Sequence, residues 1–111
     1  MFLRTRQGNV DVISGDAALT RESTGELTAA LQLCAAQGQP RVVFDLRNVP
    51  LIDSAGLEQI LDAQDQFEGC GGALKLASPT PLCQEILKIT GLATQLEIYG
   101  DVRTAVGSFI K

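Results

Sequence analysis

The chain has 111 residues, 45% hydrophobic and 20% charged, enough for one buried core but not two, and too apolar for a disordered segment. A net charge of -4, with no basic, aromatic-studded stretch, argues against direct nucleic-acid binding, which needs a cationic stripe against the phosphates. No apolar run is long enough to insert across a membrane, and MFLRTRQGNV lacks the apolar stretch of a signal peptide, so a cytoplasmic protein is expected.

In chain order, FLRTR (2–6) and NVDVIS (9–14) read as strands that form a hairpin around Gln7-Gly8-Asn9. The loop GDAALTRE (15–22) leads into STGELTAALQLCAAQG (23–38). There Leu27, Ala30, Leu31 and Cys34 recur at i, i+3, i+4 and i+7, an amphipathic helix closed by Gly38 and Pro40. RVVFDL (41–46) is β-branched and almost continuously apolar, as a buried central strand should be. A second helix is expected from about Ser54 to Gly69. Leu57, Ile60, Leu61, Gln64 and Phe67 form its inner stripe, and Glu58, Asp62 and Asp65 an acidic stripe on another face.

GCGG (69–72) reads as a turn and ALKLAS (73–78) as a strand. Thr80-Pro81 is a cap and first-turn pair for a helix through Leu82, Ile86, Leu87 and Ile89 that stops at Gly91. LEIYG (96–100) is a short strand, and DVRTAVGSFI (101–110) a last helix with Val102, Ala105, Val106 and Phe109 inward. Strands alternating with helices predict parallel βαβ units with right-handed crossovers. The expectation is one α/β domain over residues 1–111: a mixed, mostly parallel sheet, an N-terminal hairpin and about four helices.

The chain has no histidine, so a serine lacks its usual general base, and IDSAG lacks the first glycine of a nucleophile elbow. Cys34, Cys70 and Cys83 are widely spaced, form no CxxC pair and find no histidine to complete a zinc site. Cys34 and Cys83 fall in helical apolar patterns and read as buried thiols, whereas Cys70 lies among glycines and reads as more exposed. No catalytic residue, metal site or cofactor is assigned.

The stretch LIDSAGLEQIL (51–61) breaks its apolar run with an acid, a hydroxyl and a glycine where a strand gives way to a helix. Functional groups gather at such junctions in open α/β sheets. Asp53 and Ser54 are also favoured helix caps, worth roughly 1 kcal/mol, and capping alone accounts for their presence. Gly56 and Ala55 add little bulk, which leaves the Ser54 hydroxyl approachable by another protein. A phosphate there adds about -1.5 to -2 charges, which a helix N-terminus accommodates and a docked partner does not.

VVFDLRNVPLIDSAGLEQIL resembles the signature of STAS domains, in particular the bacterial anti-sigma factor antagonists: a strand ending in D-L, a short spacer, D-S-x-G-L, then a helix. GGALKLAS, the IL-x-x-TGL segment and EIYGDVRTAV extend the resemblance over most of the chain. The resemblance implies a substrate and binding module. Ser54 takes the place of the serine that an anti-sigma factor serine kinase phosphorylates with ATP and a serine phosphatase restores. Asp53, Ala55 and Gly56 frame it, and the start of the following helix, with Glu58, joins the docking surface. Relatives commonly read G-x-L-D before the first helix. This chain has GDAALTRESTGEL, with Ala18 in place of the acid and about two extra residues, so Asp16, Thr20 and Arg21 are the candidate contacts there.

Two other readings use the same residues. One is an accessory subunit that binds the ATPase of a lipid-transport complex. The other is a phospho-aspartate receiver with Asp45 as acceptor, for which NVDVIS supplies only Asp11 where magnesium needs an acidic pair, and ALKLASPTP supplies no lysine at the strand tip. Without a Walker-type glycine loop, a carboxylate cluster or histidine, the purified protein is expected to hydrolyse neither ATP nor GTP. Turnover that survives repurification and disappears with a point mutation in this chain would show otherwise.

Overall fold

The computed structural model describes residues 2–35 and 38–109. Strands β1 (Phe2–Gln7), β2 (Val10–Gly15), β3 (Arg41–Asp45), β4 (Ala73–Ala77) and β5 (Ile98–Tyr99) form one sheet in the order β1-β2-β3-β4-β5. β1 and β2 are antiparallel across a two-residue turn, with Gln7 opposite Val10 and Gly8 at φ +64, a conformation open to glycine. The remaining pairs are parallel. The expected mixed sheet with its N-terminal hairpin is what forms.

The helices are α1 (Thr24–Ala35), α2 (Ser54–Gly69), α3 (Pro81–Ile89) and α4 (Val102–Gly107), with 3₁₀ turns at Arg21–Ser23 and Leu92–Thr94. Ala36, Gln37 and Ile110, which the sequence reading placed in the first and last helices, lie outside the described residues. Asp53, Thr80 and Asp101 cap α2, α3 and α4 by accepting hydrogen bonds from the backbone amides of Gly56, Cys83 and Thr104. The bonds from Thr104 hold the Asp101 carboxyl below the ordinary carboxylate range.

Strands added in sequence order by crossovers of one hand carry α1, α2 and α3 to the same face of the sheet. The main core lies there: Leu27, Leu31 and Cys34 of α1, Leu57, Ile60 and Phe67 of α2, and Cys83 and Leu87 of α3 close over Ile13, Val42, Phe44, Leu74 and Leu76. On the opposite face α4 packs Ala105 and Val106 against Val10, Val12, Val43 and Ala77. Lys75 is buried on this side. Its ammonium donates to Ser108 Oγ at 2.7 Å, lies 3.6 Å from a Glu97 carboxylate oxygen and stands 4.2 Å from the centre of the Phe109 ring. Cys34 and Cys83 are buried and Cys70 is exposed at the C-terminal end of α2. Burial pushes the Cys34 thiol up to about 11.

One expectation about side-chain direction needs correction. Leu61 is half-buried at the edge of the core, and Ala63, outside the expected stripe, is buried on the inner face beside Ile60, Gln64 and Phe67. Gln64 is there to accept a 2.7 Å hydrogen bond from the Leu74 amide, which keeps the start of β4 satisfied. In α3, Leu82 and Ile89 are 53% and 78% exposed, and Cys83 and Leu87 face inward.

The α2 phase yields a ranked expectation. Ile60→Ala should cost about 2–5 kcal/mol through lost burial and a cavity. Leu61→Ala should cost less, and Glu58→Ala should stay within about 0.5 kcal/mol. Denaturant midpoints that reversed the order of Ile60 and Glu58 would refute this helix phase.

Candidate functional site

The strongest arrangement lies where the segments leaving β2 and β3 meet. Beyond the two strands, Leu19 and Ile52 continue the parallel pairing as an isolated bridge. The Leu19 amide donates to the Leu51 carbonyl at 3.0 Å, and the Asp53 amide donates to the Leu19 carbonyl at 2.9 Å. These bonds pin the loop before α1 to the start of α2.

Asp53 has extended backbone (φ -90, ψ -177) and is the cap of α2. One carboxylate oxygen accepts from the Gly56 amide at 2.9 Å and the other from the Arg21 amide at 3.2 Å. A single carboxylate thus holds both the helix start and the 3₁₀ turn. Ser54 follows as the first helical residue. It is exposed and its hydroxyl makes no hydrogen bond among the described residues. Of the two cap candidates, the acid caps and the serine is spare.

Gly56 has a different role from the one its size suggested. It is buried, and a Cβ there would lie 2.8 Å from the Leu19 carbonyl oxygen and 2.9 Å from Ile52 Cγ2. The glycine lets α2 approach the bridge strand; it does not lower the surface beside Ser54. Ala55 is half-buried and Glu58 is exposed one turn beyond Ser54.

Between α1 and α2 runs a groove of about 340 Å³ whose lining includes Thr24, Thr28, Ala55, Glu58, Gln59 and Asp62. The Gln59 amide nitrogen donates to the Thr24 carbonyl at 2.9 Å and to the Thr28 hydroxyl, bridging the two helices. Gln59, Thr24 and Thr28 had no sequence signal, because polar residues on facing helices look like solvated ones. Asp65 is exposed and does not line the groove.

The residues of the loop before α1 separate. Thr20 is half-buried, its amide donating to Ser23 Oγ at 2.9 Å, and Arg21 is exposed beside Asp53. Asp16 is exposed, before the bridge at Leu19. Asp45, at the end of β3, accepts from the Arg47 amide at 3.0 Å and from the Ser14 hydroxyl at 3.5 Å. Asp11 is buried opposite Val42, nearer the start of β3, where Arg4 approaches it to 3.2 Å and Arg6 to 3.6 Å. The two acids of the receiver reading are therefore apart. Among the described residues no group of three or more Cys, Asp or Glu could hold a metal ion, and no helix is long and apolar enough to cross a membrane.

The crowding at Gly56 gives a test with two signs. Gly56→Ala should destabilise the fold by about 1–3 kcal/mol, overriding alanine's better helix propensity, because a backbone carbonyl stands in the way. Gly25→Ala, which meets nothing within 4 Å in α1, should be neutral or stabilising by up to about 1 kcal/mol. Equal effects in thermal or denaturant unfolding would contradict the close approach.

Comparison with known proteins places this geometry. The family model described as "Mlab, STAS domain" matches residues 2–100. "Putative anti-sigma factor antagonist BtrV" of Bordetella bronchiseptica is 30% identical over 84 residues, covering 76% of this chain and 72% of that protein. An anti-sigma factor antagonist from Mycobacterium paratuberculosis superposes with a TM-score of 0.90 at 20% identity, over 100% of this chain and 94% of that one. The anti-sigma factor antagonist SpoIIAA superposes in its unphosphorylated form with a TM-score of 0.83 at 17% identity, over 98% and 96% of the two chains. In its phosphorylated form, from Bacillus, the TM-score is 0.75 at 17% identity, over 98% and 99%. At these identities the solved structures speak for the fold, and the family model and BtrV for descent. The chain belongs to the STAS domain family.

Proposed function

We propose that the protein is an anti-sigma factor antagonist whose binding is switched at Ser54. Unphosphorylated, it docks on an anti-sigma factor that is also a serine kinase, and so frees the sigma factor. The kinase transfers the γ-phosphoryl group of ATP to Ser54 Oγ, leaving ADP, and its own base takes the hydroxyl proton. The phosphorylated form no longer docks until a serine phosphatase removes the phosphate. The chain is a one-domain cytoplasmic regulator and kinase substrate; nucleotide and magnesium belong to the kinase.

The observation that carries this reading is the division of labour at the helix start. Asp53 already supplies the cap, so Ser54 is free to be modified without undoing α2. Charge explains the switch: a phosphate introduces about -1.5 to -2 charges into a surface that a partner meets as a neutral hydroxyl. Asp16, Thr20, Arg21, Asp53, Ala55, Gly56 and Glu58 are the residues proposed to form or support the docking surface. Glu58 and Asp62 would steer a basic partner, an effect that salt weakens. The names of BtrV and SpoIIAA, the latter known in both phosphorylation states, support the same assignment.

Titrating the main partner pulled down from the native cytosol with wild type and two variants, alongside phosphosite mapping, tests the proposal. Ser54→Ala should lose modification, keep most of the affinity and change stability by no more than about 0.5 kcal/mol, since the hydroxyl is neither cap nor bonded. Ser54→Asp should stay folded and bind more weakly by roughly 2–5 kcal/mol, the cost of desolvating an unpaired charge. Equal affinities for the two variants, phosphate on another residue, or a lipid-transport ATPase as the main partner would overturn it.

A further inference from the structure

A phosphate on Ser54 would enter an acidic neighbourhood. The Asp53 carboxylate precedes it in the chain, and Glu58 lies one helical turn further on, at the i+4 spacing where like charges repel. The helix offers less relief than usual. The Gly56 amide is taken by the Asp53 carboxylate, which leaves the amides of Ser54 and Ala55 to face a phosphate. A dianion at this place, beside two carboxylates, gains from a cation elsewhere in the fold.

One is tethered beside it. The Arg21 amide donates to Asp53 Oδ2 at 3.2 Å, which fixes the backbone of Arg21 next to the residue preceding Ser54. The Arg21 side chain is exposed, and its guanidinium has no ion pair or hydrogen bond among the described residues. Arg4 and Arg6 are committed to Asp11, and Lys75 to Glu97 and Ser108. A guanidinium presents a planar fork that matches two phosphate oxygens at once.

We infer that Arg21 is the internal counter-ion of a phosphate on Ser54. This rests on the phosphorylation reading above and adds how the modified form is stabilised. Arg21 folds its charge onto the phosphate and bridges the 3₁₀ turn to the helix start a second time, through side chains as well as through Asp53. The unmodified protein presents a free guanidinium at this place; the modified protein presents a neutralised one. Both charges that a partner would meet change in a single event.

The test needs no kinase, so it is independent of whether one acts on Ser54. Phosphoserine is installed at position 54 during translation, and its second ionisation is followed by ³¹P NMR in the otherwise wild-type chain, in Arg21→Lys and in Arg21→Gln. A cation favours the dianion, so this ionisation, ordinarily near about 6, should lie lower with Arg21 present than without it. In Arg21→Gln it should rise by roughly 0.3–0.7 unit, with Arg21→Lys in between, and the difference should shrink at about 1 M salt. Both variants keep the Arg21 amide, so an unchanged Gly56 amide signal confirms that the cap is intact. Identical titrations in wild type and Arg21→Gln, or an equal rise in both variants, would overturn the inference while leaving the proposed switch standing. Failure of a kinase to modify Ser54 would remove the switch without altering the titration.

Discussion

The amide and carbonyl of one residue, Leu19, hold the functional end of this molecule together. Strands β2 and β3 run parallel, so their C-terminal ends leave the sheet side by side, and the segments that follow must satisfy their own backbone groups. They do so by pairing with each other: the Leu19 amide donates to the Leu51 carbonyl on one side, and the Leu19 carbonyl accepts from the Asp53 amide on the other. That carbonyl then faces α2 at a distance that leaves no room for a Cβ at position 56. The glycine, the capping acid and the placement of the 3₁₀ turn all follow from this short extension of the sheet beyond its last regular pair.

The opposite face obeys a different constraint. Only α4, six residues long, is described there, over a small cluster of valines and alanines. A lysine in the middle of β4 is costly to bury unless its ammonium is satisfied, and Ser108, Glu97 and the Phe109 ring meet that need. The three partners come from β5's approach and the end of α4, so the lysine ties the last elements of the chain to the sheet. Its role is structural and lies away from Ser54.

Much of the fold was legible because the signals were local. Gly8 marked the hairpin, Thr80-Pro81 the start of α3, and the β-branched run 41–46 the central strand. The candidate site was legible in residue types: Asp53-Ser54 at a strand-helix junction announced a cap and a reachable hydroxyl. Which of the two residues capped could not be read from spacing, since both suit the role. The inward direction of Gly56 was hidden for a related reason: its neighbour is the backbone of Leu19, and a backbone contact leaves no side-chain pattern behind. Leu61 misled because helical periodicity gives a face about a turn wide, whereas packing against β4 selects Gln64 within it for a hydrogen bond. Leu82 and Ile89 of α3 are apolar yet exposed, a reminder that hydrophobicity does not by itself fix direction.

The cysteines, unremarked by any chemistry, have a practical consequence for watching this protein at work. Two thiols are enclosed in the core, and the third stands exposed at the end of α2 farthest from Ser54. A sixteen-residue helix is about 24 Å long, so the natural chain carries one accessible attachment point for a dye or spin label well away from the modifiable hydroxyl. Fluorescence or distance measurements can therefore follow docking from the far end of the same rigid rod, with every residue of the native sequence in place.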